Sequence, residues 1–220
     1  MHILKTVLNK LPAALVMATV LAGCVQTTPT PSNKPVLAPA PTAPQPPKVV
    51  MDLQPPVWKK DHTWVYSDGY ALQVEKVFPN GNAKLVRLDV PKTWVVRKAI
   101  FKQESSNPRA HRLVVFRTLD PMTLFKVQAG QSIHFIREYT KNKKLIRHKT
   151  SWTIEGKEQI SVPAGTFDTW VIVMRTESLD TNWVGFERWW YSADVNNYVR
   201  MEYKYGDSQA SSRVLMSYTH

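Results

Sequence analysis

Residue types that carry chemistry are sparse and unevenly placed in this chain. Cys24 is the only cysteine among 220 residues, so it is the one thiol nucleophile and can form no disulfide within the chain. His62, His111, His134, His148 and His220 are scattered, with no His-x-x-x-His or other close pair to begin a metal site. No Gly-x-Ser-x-Gly elbow and no phosphate-binding glycine loop occurs. Asp61, Asp68, Glu104, Glu155, Glu158, Asp168, Glu177, Asp180, Glu187 and Asp194 could pair as acid and base, but their spacing singles out no two. The sequence therefore nominates no catalytic residue, no metal and no cofactor. Two clusters do stand out. Lys141, Lys143, Lys144, Arg147, His148 and Lys149 form a dense cationic run, suited to phospholipid headgroups, an acidic glycan or another protein. Trp183, Phe186, Trp189, Trp190 and Tyr191 crowd a single segment, and such rings suit acyl chains or sugars.

The elements that must position these groups begin with a leader. Lys5 and Lys10 precede an apolar run from Leu11 to Ala22, too short for the roughly 20 residues that cross a bilayer. Its order is that of a secretory signal followed by small residues. Leu21-Ala22-Gly23-Cys24 resembles the lipobox of bacterial lipoproteins. The resemblance implies removal of residues 1–23 and lipidation of Cys24, whose sulfur takes a diacylglyceryl thioether and whose freed amine takes a further chain. Two or more acyl chains hold stably, whereas one is marginal. Val25 follows in place of the Asp linked to inner-membrane retention, so the resemblance points to the outer membrane, facing the periplasm. The only cofactor-like group expected is this covalent lipid.

From Cys24 to Val57 the composition changes. Ten of the sixteen prolines fall between Pro29 and Pro56. Proline lacks a donor and fixes φ, so the stretch is expected to be a disordered spacer with polyproline character. At about 3.1 Å per residue its reach is on the order of 100 Å.

Residues 58–220 are expected to form one all-β domain. Tyr70, Leu72, Val74 and Phe78 alternate with the residues between them, and Pro79-Asn80-Gly81-Asn82 supplies a hairpin turn. Similar runs cover 84–90, 94–103, 112–118, 132–140, 145–155, 158–162, 166–178, 183–192, 198–205 and 212–219. About ten strands with turns between them predict a single antiparallel curved sheet, as a half-barrel or a barrel-like closure, with a sandwich as the other arrangement.

Three segments resemble a family of β-rich bacterial envelope proteins. They are Asp120–Gly130, the Val162-Pro163-Ala164-Gly165-Thr166-Phe167 core of Ile154–Thr169, and the Trp190-Tyr191-Ser192 hairpin running to Arg200. Ala193 stands where that pattern has Pro. The family is similar in architecture to lipoprotein localisation factors, which curve a large antiparallel sheet, and it implies no catalytic residues.

The domain carries a net charge of about +9. Lys141, Lys143, Lys144, Arg147 and Lys149 are the candidate contact for an anionic or protein partner. Trp183, Trp189, Trp190 and Tyr191 are the candidate aromatic platform. Trp189 and Trp190 must face opposite sides of a strand. The expected function is a lipid-anchored, non-catalytic binding or envelope-assembly module docking through its basic hairpin. The alternatives are a carrier or receptor of an apolar ligand in a concave sheet, and an envelope enzyme. Nucleic acid suits the charge but not the envelope address.

Overall fold

The computed structural model describes residues 53–106 and 113–219. The leader, Cys24, the proline-rich segment up to residue 52, His111 and His220 lie outside the described residues, whereas Leu53, at the end of that segment, is buried in the core. Twelve strands follow in chain order: β1 (Thr63–Tyr66), β2 (Ala71–Val77), β3 (Ala83–Arg87), β4 (Trp94–Lys98), β5 (Phe101–Ser105), β6 (Val114–Arg117), β7 (Ser132–Lys141), β8 (Lys144–Val162), β9 (Gly165–Ser178), β10 (Val184–Ser192), β11 (Asn197–Tyr205) and β12 (Ser211–Thr219). They make one antiparallel sheet in the order β5-β4-β3-β2-β1-β12-β11-β10-β9-β8-β7-β6. The edge strands meet through the Glu104–Leu113 bridge, so the sheet is a nearly closed barrel.

Twelve strands replace the expected ten for local reasons. Thr63–Tyr66 pairs with both β2 and β12, although its four residues are too few to show alternation. Residues 94–103 are not one strand. A two-residue turn at Ala99-Ile100 folds them into the β4–β5 hairpin, with Ala99 at φ 49° where glycine would be the usual signal. Conversely, 145–155 and 158–162 join into the 19-residue β8, interrupted only by a bulge between Ile154 and Gly156. Residues 121–126 form a short 3₁₀ helix; Asp120 caps it by accepting from the Met122 N–H, and Leu124 is fully buried.

The up-and-down order gives the barrel two unlike ends. One end is filled. There Trp64 Nε1–H donates to the Val195 carbonyl (2.8 Å), and Trp58 packs edge-on against Trp64. The β8–β9 hairpin reaches across to β12, where Ala164 N–H donates to the Leu215 carbonyl and Phe167 meets Tyr218. The described chain starts at this end, since Val57 N–H donates to Asn196 Oδ1 in the β10–β11 turn. It also finishes there, because Thr219 pairs with Thr63. Residues 47–220 form one compact unit with its own core. At the other end the connections β1–β2, β3–β4, β7–β8, β9–β10 and β11–β12 surround an opening.

Candidate functional site

A cavity of about 690 Å³ fills this open end. Its floor is apolar and aromatic, with Ile100, Trp152, Met174, Trp189 and Met201. Its walls turn cationic towards the mouth. On the inward face of β7 the order is Ile133, Phe135, Arg137, Tyr139, and on β8 it is Trp152, Thr150, His148, Ile146, Lys144. Arg87, Arg97, Lys102, Arg137, Lys141, Lys144 and Arg213 line the cavity, against only Asp180 and Glu187.

Two of these arginines are already neutralised. Arg213 pairs with Asp68 (2.9 Å), donates to the Tyr203 hydroxyl (3.0 Å) and lies 4.2 Å over the Tyr70 ring. Arg87 pairs with Asp89. Three deeper cations differ. Arg97, Lys102 and Arg137 make no ion pair among the described residues. Arg97 is buried, with its guanidinium 5.8 Å from the Trp189 ring and Nη1 donating to Asn197 Oδ1 (3.4 Å). Burial, reinforced by Arg137 and Arg97, pushes the Lys102 ammonium down to about 8 against the opposing pull of Glu187. Burial likewise holds Arg137 below its ordinary range. Glu187 opposes this on both Lys102 and Arg137, but one carboxylate does not balance three cations, and such a cluster concentrates anions.

The aromatic side of the cavity is held rigidly. Arg137 Nη2 lies 3.2 Å from His148 Nδ1. A guanidinium can only donate, so Nδ1 accepts and the imidazole proton sits on Nε2, 3.4 Å from the Tyr139 oxygen. Burial, then Arg137, pushes His148 down to about 4. Its ring stacks on Trp183 at 4.7 Å, and Trp183 lies parallel to Tyr205. Two glycines make room for that indole. A Cβ at Gly185 would come within 2.8 Å of Trp183, and one at Gly206, where φ is +55°, within 2.9 Å. Glu187 accepts from Trp189 Nε1–H (2.8 Å) and from the Tyr205 hydroxyl, so its carboxylate is occupied by fixed donors.

The sequence candidates separate on this geometry. Lys141 and Lys144 line the mouth, Trp183 lines the wall against His148, and Trp189 lies in the floor against Trp152. Lys143 is exposed at the hairpin tip. Arg147 and Lys149 point outward and pair with Asp180 (3.1 Å) and Glu177 (3.4 Å). Trp190 lies on the other face of β10, between the Arg188 and Arg200 guanidinium groups, with Nε1–H donating to Glu158. Tyr191 is fully buried. Arg97, Lys102 and Arg137 escaped the sequence reading. One signal was present: Arg137 interrupts the apolar face that Ile133 and Phe135 begin.

No protein-family model matches the chain, and neither does any curated protein. Solved structures do. The hypothetical lipoprotein YmcC from Escherichia coli K12 superposes with a TM-score of 0.51 at 8% identity, covering 73% of this chain and 85% of that one. The barrel shares that fold. A lipoprotein structure from Parabacteroides distasonis gives 0.39 at 17% identity, covering 73% and 96%. An exported protein of YmcC-like fold from Bacteroides fragilis gives 0.37 at 13%, covering 74% and 97%.

Proposed function

We propose that this protein is a non-catalytic envelope lipoprotein whose barrel receives an anionic ligand with a flat or apolar body. The observation that carries the reading is the cluster of Arg97, Lys102 and Arg137, three cations that line a cavity beside Trp189 with one nearby carboxylate, Glu187, to offset them. The lysines at the mouth, Lys141 and Lys144, extend the same field outward. The basic hairpin then serves the cavity, and an envelope glycan, lipid or acidic protein segment is the class of partner. No nucleophile–base pair is formed around His148, since Arg137 and Tyr139 take its two nitrogens.

The address rests on the lipobox, with Cys24 holding the chain to the outer membrane and the domain in the periplasm. The E. coli protein of the same fold is described as a lipoprotein, in agreement. Palmitate labelling tests the anchor: label is expected on the wild-type chain and absent from Cys24→Ser.

Two fluorescent probes that differ by one sulfonate test the ligand class. Residues 47–220 are titrated with anilinonaphthalenesulfonate and with uncharged N-phenylnaphthylamine. Charge-assisted contacts should favour the sulfonate by roughly tenfold or more. Arg97→Gln with Arg137→Gln should remove that preference. Equal affinity for both probes would instead favour the apolar-ligand carrier, a reading supported by the cavity floor of Ile100, Met174 and Met201.

A further inference from the structure

Most of the exposed large apolar side chains stand around the mouth, while Val57, Val77 and Met216 lie towards the filled end. Leu88, Val90, Leu113, Leu145, Leu179 and Val184 are 40–61% exposed. All belong to the connections around the opening or to the strand ends beside them. Leu145 points outward, because Lys144, Ile146 and His148 line the cavity. Leu179 lies beside Arg147, whose carbonyl accepts from its N–H (2.9 Å).

Charge is arranged to match. At this end Asp68, Asp89 and Asp180 are each paired with an arginine, namely Arg213, Arg87 and Arg147. Lys92, Lys141, Lys143 and Lys144 have no ion pair among the described residues, and the acids there that also have none are Glu104 and Asp207. The connections at the filled end mix both signs, with Lys59, Lys60, Asp61, Asp120, Lys126 and Asp194. The β7–β8 hairpin also projects. His148 pairs with Ser178, the last residue of β9, so Lys144 stands about 13 Å beyond it.

From this arrangement we infer that the mouth is a membrane-docking rim, seating on a bilayer surface rich in anionic phospholipid. The aliphatic side chains are spread over four connections, with Leu88 and Val90 on one and Leu179 and Val184 at another. Each connection can enter the headgroup boundary independently, as a planar, deformable partner allows. The free lysines supply the attraction, worth about fivefold in affinity apiece near an anionic leaflet. Docked in this way, the cationic cavity opens directly onto the lipid surface. The inference does not rest on what fills the cavity.

Vesicle sedimentation with residues 47–220 tests it. Binding is expected to vesicles of phosphatidylglycerol mixed with phosphatidylcholine, and not to phosphatidylcholine alone. Replacing Lys141, Lys143 and Lys144 by Gln should weaken binding on the order of a hundredfold. Leu145→Ser with Leu179→Ser, both at exposed positions that leave the core untouched, should weaken it roughly tenfold. Arg97→Gln with Arg137→Gln, which removes the cavity cluster, should leave vesicle binding intact. No binding to phosphatidylglycerol vesicles would overturn the inference. So would binding that ignores the two leucine exchanges, because charge alone would then account for it.

Discussion

Arg97 and Lys102 face each other directly across the β4–β5 hairpin, both turned into the barrel. Like charges in opposed cross-strand positions are destabilising, and this pair is also withdrawn from bulk water. Lys102→Met should therefore stabilise the empty fold, by about 1 kcal/mol, as read from the midpoint of urea unfolding. The same exchange should weaken binding of the sulfonate probe. Opposite signs on stability and affinity would separate a ligand site from an accident of packing.

The lowered Lys102 value gives a pH dependence. The folded chain releases this proton near 8, the unfolded chain near 10.5. Between those values the unfolded state binds more protons, so this group's contribution makes the fold more stable as pH rises. Probe affinity should move the other way and fall through pH 8 as the ammonium is lost. A fluorescence titration from pH 6 to 10 checks this, with Lys102→Met showing the flatter profile.

His148 behaves differently. Its folded value of about 4 lies below the ordinary 6.5. In that window the unfolded chain takes up a proton that the folded chain refuses. The contribution to stability is present above 6.5 and is lost as pH falls towards 4. Nitrogen-15 spectra at neutral pH should show the neutral ring protonated on Nε2, and His148→Gln should flatten the acid limb of the stability profile.

The seat of Trp183 can be disturbed on its own. Gly185→Ala places a methyl group against Trp183 and Thr176 at contacts too short to keep. The indole is expected to swing away from His148, removing the ring-current shift on the imidazole protons. Sulfonate binding should fall several-fold, while the unfolding free energy falls by about 1–2 kcal/mol.

Trp189 and Trp190 should respond differently to truncation. Each Trp→Ala exchange removes a buried ring and should cost about 3–5 kcal/mol. Only Trp189→Ala should also abolish the preference for the charged probe, because Trp190 has no surface in the cavity.

Much of this fold can be read from alternation, because a barrel wall with one packed face imposes period two over stretches such as the first half of β7 and His148–Ile154 of β8, whereas Thr169–Met174 of β9 are buried on both faces. The β4–β5 hairpin was hidden, since its turn uses Ala99 and Ile100 rather than Asn-Gly. The site was half visible. Lys141, Lys144, Trp183 and Trp189 were legible as local clusters. Arg97, Lys102 and Arg137 come from three strands and converge only when the sheet closes, so no local window holds them together. Arg147, Lys149, Trp190 and Tyr191 belong to the same clusters by sequence, yet strand parity and packing carry them out of the cavity.

Both ends of the described chain leave the barrel at its filled end, beside Trp58 and Thr219. Among the described residues the mouth is consequently built from connections between strands. Turns there can be lengthened, exchanged or re-sequenced without re-threading a strand or disturbing the Trp64 core. The scaffold is thus free to change its recognition half under selection, or in the laboratory, while the half that folds it stays constant.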